Sequence, residues 1–335
     1  SHTYVGGGDY PEVERVKSAL LGCEFEAANG CWRFSHILPG ENWKDDSRSP
    51  LTEPGVNVSM GDYLLAVDGE PLSASVNPYS LLEGKADRAV VLTVSGRPDT
   101  AEARSVRVKP VGDEQPLRYL EWVEGNRRKV LEATGGRVGY LHIPNMGFEG
   151  LSEFVKRFYA QLDREALIID VRYNGGGFVS EMILERLRRR TVGMGAPRNG
   201  APDTYPRASF DGPMACLINQ YSASDGDIFP YFFREYGLGP LIGRRTWGGV
   251  VGIRGYMPLM DGGYITRPEF STYSMDSRWI MENQGVSPDI EVDNLPEEVI
   301  AGRDPQLEKA IEAVMQKLAE KPTRLPERPA PPGKK

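Results

Sequence analysis

Residues 215–228 read Ala-Cys-Leu-Ile-Asn-Gln-Tyr-Ser-Ala-Ser-Asp-Gly-Asp-Ile, and they constrain the fold more than any other stretch. The run 214–218 is short and wholly apolar, which predicts a strand buried on both faces. Small and polar residues follow at once, and an apolar-rich run from Ile228 predicts a helix. A strand that breaks sharply into a helix N-terminus leaves backbone N–H groups unpaired. The helix dipole at that point favours developing negative charge. Ser224 is therefore the candidate nucleophile. The competing reading is local: Ser222, Ser224 and Asp225 carry side chains of the kind that cap helices.

The same texture recurs from residue 117 onward. Strands are expected at 138–143, 166–171, 214–218 and 241–243, and helices at 117–133, 150–162, 179–190 and 227–236. Strands alternating with helices predict a mostly parallel sheet with helices covering it. Gly175-Gly176-Gly177 reads as a tight turn, and 193–206 as a disordered-looking loop. A closing helix at 304–318 has Asp304 as N-cap and Pro305 in its first turn. Its apolar face is Leu307, Ala310, Ile311, Val314 and Leu318.

Residues 22–110 differ. Short strands at 23–26, 32–37, 63–67, 89–94 and 105–109 are separated by turn signals such as Asn29-Gly30 and Asp68-Gly69. The unit Gly61-Asp62, strand, Asp68-Gly69 resembles the signature of a PDZ domain, and the resemblance covers roughly 22–111. A peptide-binding role by strand addition, a substrate-steering role and a spacer role all stay open for it.

At 335 residues, two domains are expected from about 150 residues each. The net charge of −7 argues against a nucleic-acid partner. The basic cluster Arg186–Arg190 falls on an expected helix whose apolar side is Met182, Ile183 and Leu187, so a solvated face accounts for it. Cys23, Cys31 and Cys216 form neither a disulfide framework nor a zinc pattern, and a reducing, cytoplasmic setting is expected. No run of 18 apolar residues occurs, so no membrane span is expected. The first residue is Ser1, and the opening residues read as the interior of a longer polypeptide.

A serine nucleophile needs a base, a group that orients the base, and donors for the oxyanion. Only three histidines are available. His142 lies mid-strand and His36 in the small β domain, both with a structural reading. His2 stands in a polar, glycine-rich context.

Four segments together resemble the C-terminal half of the tricorn protease family. They are Ser1-His2-Thr-Tyr, residues 170–180 (Asp-Val-Arg-Tyr-Asn-Gly-Gly-Gly-Phe-Val-Ser), residues 222–229 together with 245–252, and residues 282–289 (Glu-Asn-Gln-Gly-Val-Ser-Pro-Asp). The resemblance spans essentially the whole chain, and in the family the upstream chain carries β-propeller domains. It implies a mixed α+β and α/β fold, with a PDZ-like β domain followed by a crotonase/ClpP-like α/β serine-peptidase domain. It also implies four parts: 1–21, the end of a helical subdomain carrying the catalytic histidine; 22–112, PDZ-like; 113–320, catalytic; and 321–335, a flexible tail.

The resemblance implies a serine endopeptidase that cleaves short peptides through an acyl-enzyme. Ser224 matches the nucleophile and His2 the general base. Ser1 and Glu282 match the groups that orient and polarise the imidazole. The backbone N–H groups of Gly177 and Asp225 match the oxyanion hole. No metal or other cofactor is implied. Peptide substrates, a homo-hexamer and partner aminopeptidases are.

Three other readings compete. Tail-specific processing proteases use a Ser–Lys dyad whose lysine would fall at Gly249, and no lysine occurs between Lys156 and Lys309. A non-catalytic, PDZ-containing peptide-binding protein would be expected to lose a tetrad member, and all four are present. Crotonase-type acyl-CoA chemistry would not need the aligned serine, histidine and glutamate. One departure from the family concerns specificity. The acidic residue associated with basic side chains at the cleavage position aligns with Gly195, and Asp203, the only acid in 193–207, is not aligned.

Overall fold

The structure is a computed structural model and describes residues 2–322 and 326–330. Ser1 and part of the expected 321–335 tail lie outside the described residues. Contacts divide the chain into a smaller unit, Pro11–Gly125, and a larger one made of Ser1–Tyr10 with Asn126–Lys335. Among the described residues no helix is long and apolar enough to cross a membrane.

The described part of residues 1–21 holds strand β1 (Val5–Gly7) and no helix. Three successive glycines, Gly6 to Gly8, and Pro11 all disfavour a helix. The extended chain pairs antiparallel instead, with Val5 opposite Ile265 and Gly7 opposite Gly263.

The smaller unit is an antiparallel sheet built from β2 (Cys23–Ala28), β3 (Cys31–Ile37), β4 (Tyr63–Val67), β5 (Glu70–Pro71), β6 (Val90–Ser95) and β7 (Arg104–Val108). The order is β2-β3-β4-β6-β7, with β5 paired to β4. Asn29 and Gly30, and likewise Asp68 and Gly69, take the paired positive φ of two-residue hairpin turns. Phe34, Leu64, Val67, Leu92 and Val94 are in its core. Helix α1 (Gln115–Thr134) carries the chain on into the larger unit.

The larger unit contains β8 (Val138–His142), α2 (Phe148–Tyr159), β9 (Ala166–Asp170), α3 (Ser180–Leu187), the hairpin β10 (Gly193–Gly195) and β11 (Asp203–Tyr205), β12 (Met214–Ile218), α4 (Asp225–Glu235) and β13 (Leu241–Gly243). A second hairpin follows, β14 (Gly252–Pro258) and β15 (Gly263–Phe270), and then β16 (Ile290–Glu291), α5 (Pro296–Ile300) and α6 (Pro305–Glu320). The central sheet runs β16-β13-β12-β9-β8 and is parallel throughout. Every residue of β8, β9, β12 and β13 is buried, as expected for a parallel sheet covered on both faces. Leu141, Leu167, Ile169, Cys216 and Ile218 share a core with Phe154 and Phe158 of α2, Ile183 of α3, and Phe229 and Phe233 of α4. The alternate residues Tyr140, Ile168, Leu217 and Ile242 are equally buried, and α6 packs on these same strands. Asp304 caps α6, accepting from the Leu307 N–H at 3.0 Å.

The disordered-looking loop at 193–206 is a two-stranded hairpin, with Met194 opposite Thr204. Its Gly- and Pro-rich sequence, largely exposed, carries no alternation of apolar and polar residues to reveal the pairing. The β14–β15 hairpin was likewise not expected. It adds β1 on the outer side of β15 to make a three-stranded sheet.

Candidate active site

The site is built at the carboxyl ends of β9 and β12, where open parallel sheets place their ligands. After β12 the chain turns through Asn219–Ala223 and enters α4. Ser222 is fully buried, and its hydroxyl donates to the Val171 carbonyl at 2.8 Å while accepting from the Asn219 N–H at 3.1 Å. Ser222 is thus the structural serine of the turn. Ser224 occupies the N-cap of α4 at φ 60° and ψ −119°, and its side chain makes no capping hydrogen bond. A non-glycine residue held at positive φ costs on the order of 1–3 kcal/mol, so a surrounding structure must enforce it. The capping reading of Ser224 therefore fails.

That surrounding structure comes from the loop after β9. Asn174 is fully buried. Its carbonyl oxygen takes the Ala223 N–H at 2.8 Å, its side-chain oxygen takes the Gly176 N–H at 2.9 Å, and its amide donates to the Ile143 carbonyl at 2.9 Å. The next two glycines are required by space. A Cβ on Gly176 would lie 2.6 Å from the Ser224 Cβ, and one on Gly177 would lie 2.0 Å from the Met146 carbonyl oxygen. The Gly177 and Asp225 N–H groups have no acceptor among the described residues. Two free donors beside a raised hydroxyl, at the positive end of an 11-residue helix, form an arrangement that can hold a developing oxyanion.

The Asp225 carboxylate is turned aside. It accepts the Ser180 hydroxyl and, at 3.1 Å, the Ser180 N–H. Burial raises its pKa against these hydrogen bonds. The tie joins the turn bearing Ser224 to the first residue of α3, which follows closely on Gly177. Ser224, Gly177 and Asp225 line one cleft of about 630 Å³, whose walls include Leu184, Ile228 and Phe232.

His2 and Glu282 meet at a different point, residue Val251. His2 is buried, and its Nδ1 lies 2.7 Å from the Val251 carbonyl oxygen. A carbonyl can only accept, so Nδ1 carries a proton; in the neutral imidazole that leaves the lone pair on Nε2, the tautomer a general base requires. The Trp247 ring meets the imidazole edge-on with centroids 5.5 Å apart. Thr266 of β15 donates to the His2 carbonyl at 2.9 Å. The Glu282 carboxylate accepts from the N–H groups of Val250 and Val251 at 2.7 and 3.0 Å. Residue Val251 thus stands between acid and imidazole, its N–H toward Glu282 and its carbonyl, in the next peptide group, toward His2, and Val250 also lines the cleft. Ser1 lies outside the described residues.

Of the other histidines, His142 is buried with its Nε2 2.8 Å from the Arg172 carbonyl, and its pKa is lowered by burial. His36 pairs with Glu121 in the smaller unit. Among the described residues no group of three or more His, Cys, Asp or Glu could hold a metal ion. Sequence reasoning missed Asn174, Ser180 and Asp227. For Asp227 the sequence offered only an acidic residue in the first turn of an expected helix.

Two family models match the chain: the tricorn protease PDZ domain over residues 19–113 and peptidase family S41 over residues 137–292. The tricorn protease of Thermoplasma volcanium is 39% identical over 328 residues, which is 98% of this chain and 32% of that protein. The chain belongs to the tricorn protease family. Tricorn protease homolog 1 of Streptomyces coelicolor is 41% identical, covering 97% of this chain and 30% of the relative. A crystal structure of the tricorn protease superposes with a TM-score of 0.89 at 38% identity, over 95% of this chain and 31% of that one. The fold is that of the tricorn family, a PDZ-like domain with an S41 α/β domain. The chain spans about a third of the length of these tricorn relatives.

Proposed function

We propose that this chain is the catalytic end of a serine endopeptidase that cleaves short peptides through an acyl-enzyme on Ser224. The Ser224 oxygen attacks the scissile carbonyl carbon, and its proton passes to Nε2 of His2. The carbonyl electron pair moves onto oxygen, and the N–H groups of Gly177 and Asp225 hold that oxyanion. The intermediate collapses, the C–N bond breaks, and the amine leaves with the proton from His2. Water then repeats the sequence on the ester and restores the serine. Ser1 and Glu282 orient and polarise the imidazole, Glu282 by holding the Val250 and Val251 N–H groups and so fixing the segment whose carbonyl receives His2 Nδ1. No cofactor takes part.

One observation carries this reading: Ser224 is held at a strained backbone angle without any capping bond, between two glycines' worth of cleared space and two free N–H groups. The test is covalent. A fluorophosphonate should label the intact protein at Ser224, and Ser224→Ala should abolish labelling and peptide cleavage with the fold intact. Turnover that survives Ser224→Ala sinks the proposal. His2→Ala should lower turnover by about 10⁴–10⁶, and loss of one oxyanion donor by about 10²–10³.

The wider assignment is proposed with it. Residues 22–112 act as the PDZ-like domain and 113–320 as the catalytic domain. The whole protein works in the cytoplasm as a homo-hexamer on peptides that aminopeptidases finish. Light scattering on the intact protein tests the hexamer. Since Gly195 stands at the specificity position, cleavage of a peptide library decides whether basic residues are preferred.

A further inference from the structure

The structure assigns one more residue to this machinery. We propose that Asp227 is a positioning residue: its buried carboxylate locks the turn that holds His2 to the helix that presents Ser224. The inference rests on the peptidase reading for its catalytic consequence, and on geometry alone for the lock.

Asp227 is the third residue of α4 and is fully buried. Its N–H donates to the Ser224 carbonyl at 2.8 Å, so it shares the strained first turn with the nucleophile. One carboxylate oxygen accepts the Gly248 N–H at 2.8 Å. The other is buried without a hydrogen-bond partner. Gly248 lies within the turn 246–251, which presents both contacts of the imidazole described above, the Trp247 ring and the Val251 carbonyl. On its far side this turn is stitched to residues 282–286. The Asn283 N–H donates to Gly248, Thr246 and Val286 exchange hydrogen bonds, and Glu282 takes the Val250 and Val251 N–H groups. On its near side it meets the nucleophile's turn and helix through the Trp247 N–H to the Ser222 carbonyl, 3.0 Å, and through Asp227.

The chemistry argues against a purely structural role. Burial pushes the Asp227 carboxyl up to about 6; the nearby Thr246 hydroxyl, Gly248 and Ser224 N–H groups and Arg245 charge favour the ionised form but offset only part of that rise. A buried carboxylate oxygen left without a hydrogen bond costs stability. Cores that carry such a group lose stability for function.

The test uses the intact protein with Asp227→Asn, Asp227→Leu and Asp227→Ala. Three quantities are read: amide hydrogen exchange over 246–251, kcat and KM on a peptide, and the rate of Ser224 labelling by a fluorophosphonate. Leucine and alanine remove the acceptor. Exchange over 246–251 should accelerate, and kcat and labelling should fall about 100-fold with KM within about twofold, the scale of a misplaced catalytic group. Asparagine keeps an acceptor and should fall between, with a several-fold loss. Melting temperature should not follow kcat across the series. Unchanged exchange in both leucine and alanine variants overturns the lock, whatever the activity. Accelerated exchange with wild-type kcat and labelling overturns the positioning role. A kcat loss that tracks the melting temperature reduces Asp227 to a structural residue, as does an asparagine variant as poor as leucine. If wild-type protein is neither labelled nor active, the peptidase reading fails, and the exchange data still decide the lock.

Discussion

Two groups of buried charge lie beyond the carboxyl ends of neighbouring strands, and they are built on opposite terms. Beyond β9, the Arg172 guanidinium is almost wholly buried. It bonds Asp170 at 2.7–3.0 Å, Asp304 at 2.9 and 3.0 Å, and Gln306 at 3.2 Å. Asp170 also takes the Tyr140 hydroxyl, and Asp304 the Asn294 amide. Beyond β12, among the described residues, the Asp227 carboxylate accepts one hydrogen bond, from the neutral Gly248 N–H, and has no ion pair; its other oxygen accepts no hydrogen bond. The first group joins the strand end to the cap of α6, and nothing in it touches the cleft. The second lies in the first turn of α4, beside Ser224. The Arg172 charge is matched by carboxylates on both sides, and the Asp227 charge is matched by no ion pair among the described residues.

The strongest way to break this contrast is Arg172→Met. It leaves Asp170 and Asp304 buried with no counter-charge, so a loss of about 3–5 kcal/mol is expected in denaturant unfolding. A loss below about 1 kcal/mol would mean that the Arg172 group does not pin α6.

Next in size is Asp227, where the sign reverses. Its carboxyl titrates near 6 when folded and near 4 when unfolded. Between those values the folded protein holds a proton that the unfolded chain has released, so stability falls as pH rises from about 4 to about 6. At pH 7 the group costs on the order of 2–3 kcal/mol. Asp227→Asn should raise stability at pH 7 by up to that amount and flatten the slope. Asp304 behaves oppositely. Burial acts to raise its pKa, but Arg172 holds it below the usual carboxylate range. Its contribution is present at neutral pH and lost only as pH falls below about 4. Melting curves from pH 3 to 8 on wild type and Asp227→Asn check both limbs.

Smaller again is Ser224→Gly. Glycine adopts φ 60° without strain, so about 1 kcal/mol should be gained while activity disappears. A destabilised Ser224→Gly protein would show that the strain is not where the backbone angle places it.

How far the sequence reveals this depends on the range of the interaction. Strands β9, β12 and β13 are readable within a residue because each is a short run that is wholly apolar or, in β9, apolar up to Asp170. Helix α6 is readable because Asp304 and Pro305 are local signals. The β14–β15 hairpin is not. Tyr256, Met257, Leu259 and Tyr264 are apolar yet exposed, and register shifts between Gly252 and Tyr256 break the alternation. β1 is hidden for a further reason, since its partner Ile265 lies 260 residues away and three glycines give no periodicity. The same distance hides the placement of His2. The local part of the site, Ser224 with its strand and helix, was legible from 14 residues. The placement of the histidine came into view only through the family resemblance, and its contact with the Val251 carbonyl only from the fold.

The smallest effect tests whether exposure, rather than charge itself, separates the two groups. In the smaller unit Lys85 bonds Asp68 at 2.8 Å, on the hairpin turn between β4 and β5. The Lys85 ammonium, then the Val91 N–H, holds Asp68 below the usual carboxylate range. Both side chains are about a third exposed. Water can replace either partner, so Lys85→Met should cost less than about 1 kcal/mol. Asp68→Ala should cost more than Lys85→Met, because Asp68 also accepts the Val91 N–H at 2.8 Å and takes φ 50° in the turn. If Lys85→Met instead costs as much as Arg172→Met, the difference between the two units lies in their charges and not in the water around them.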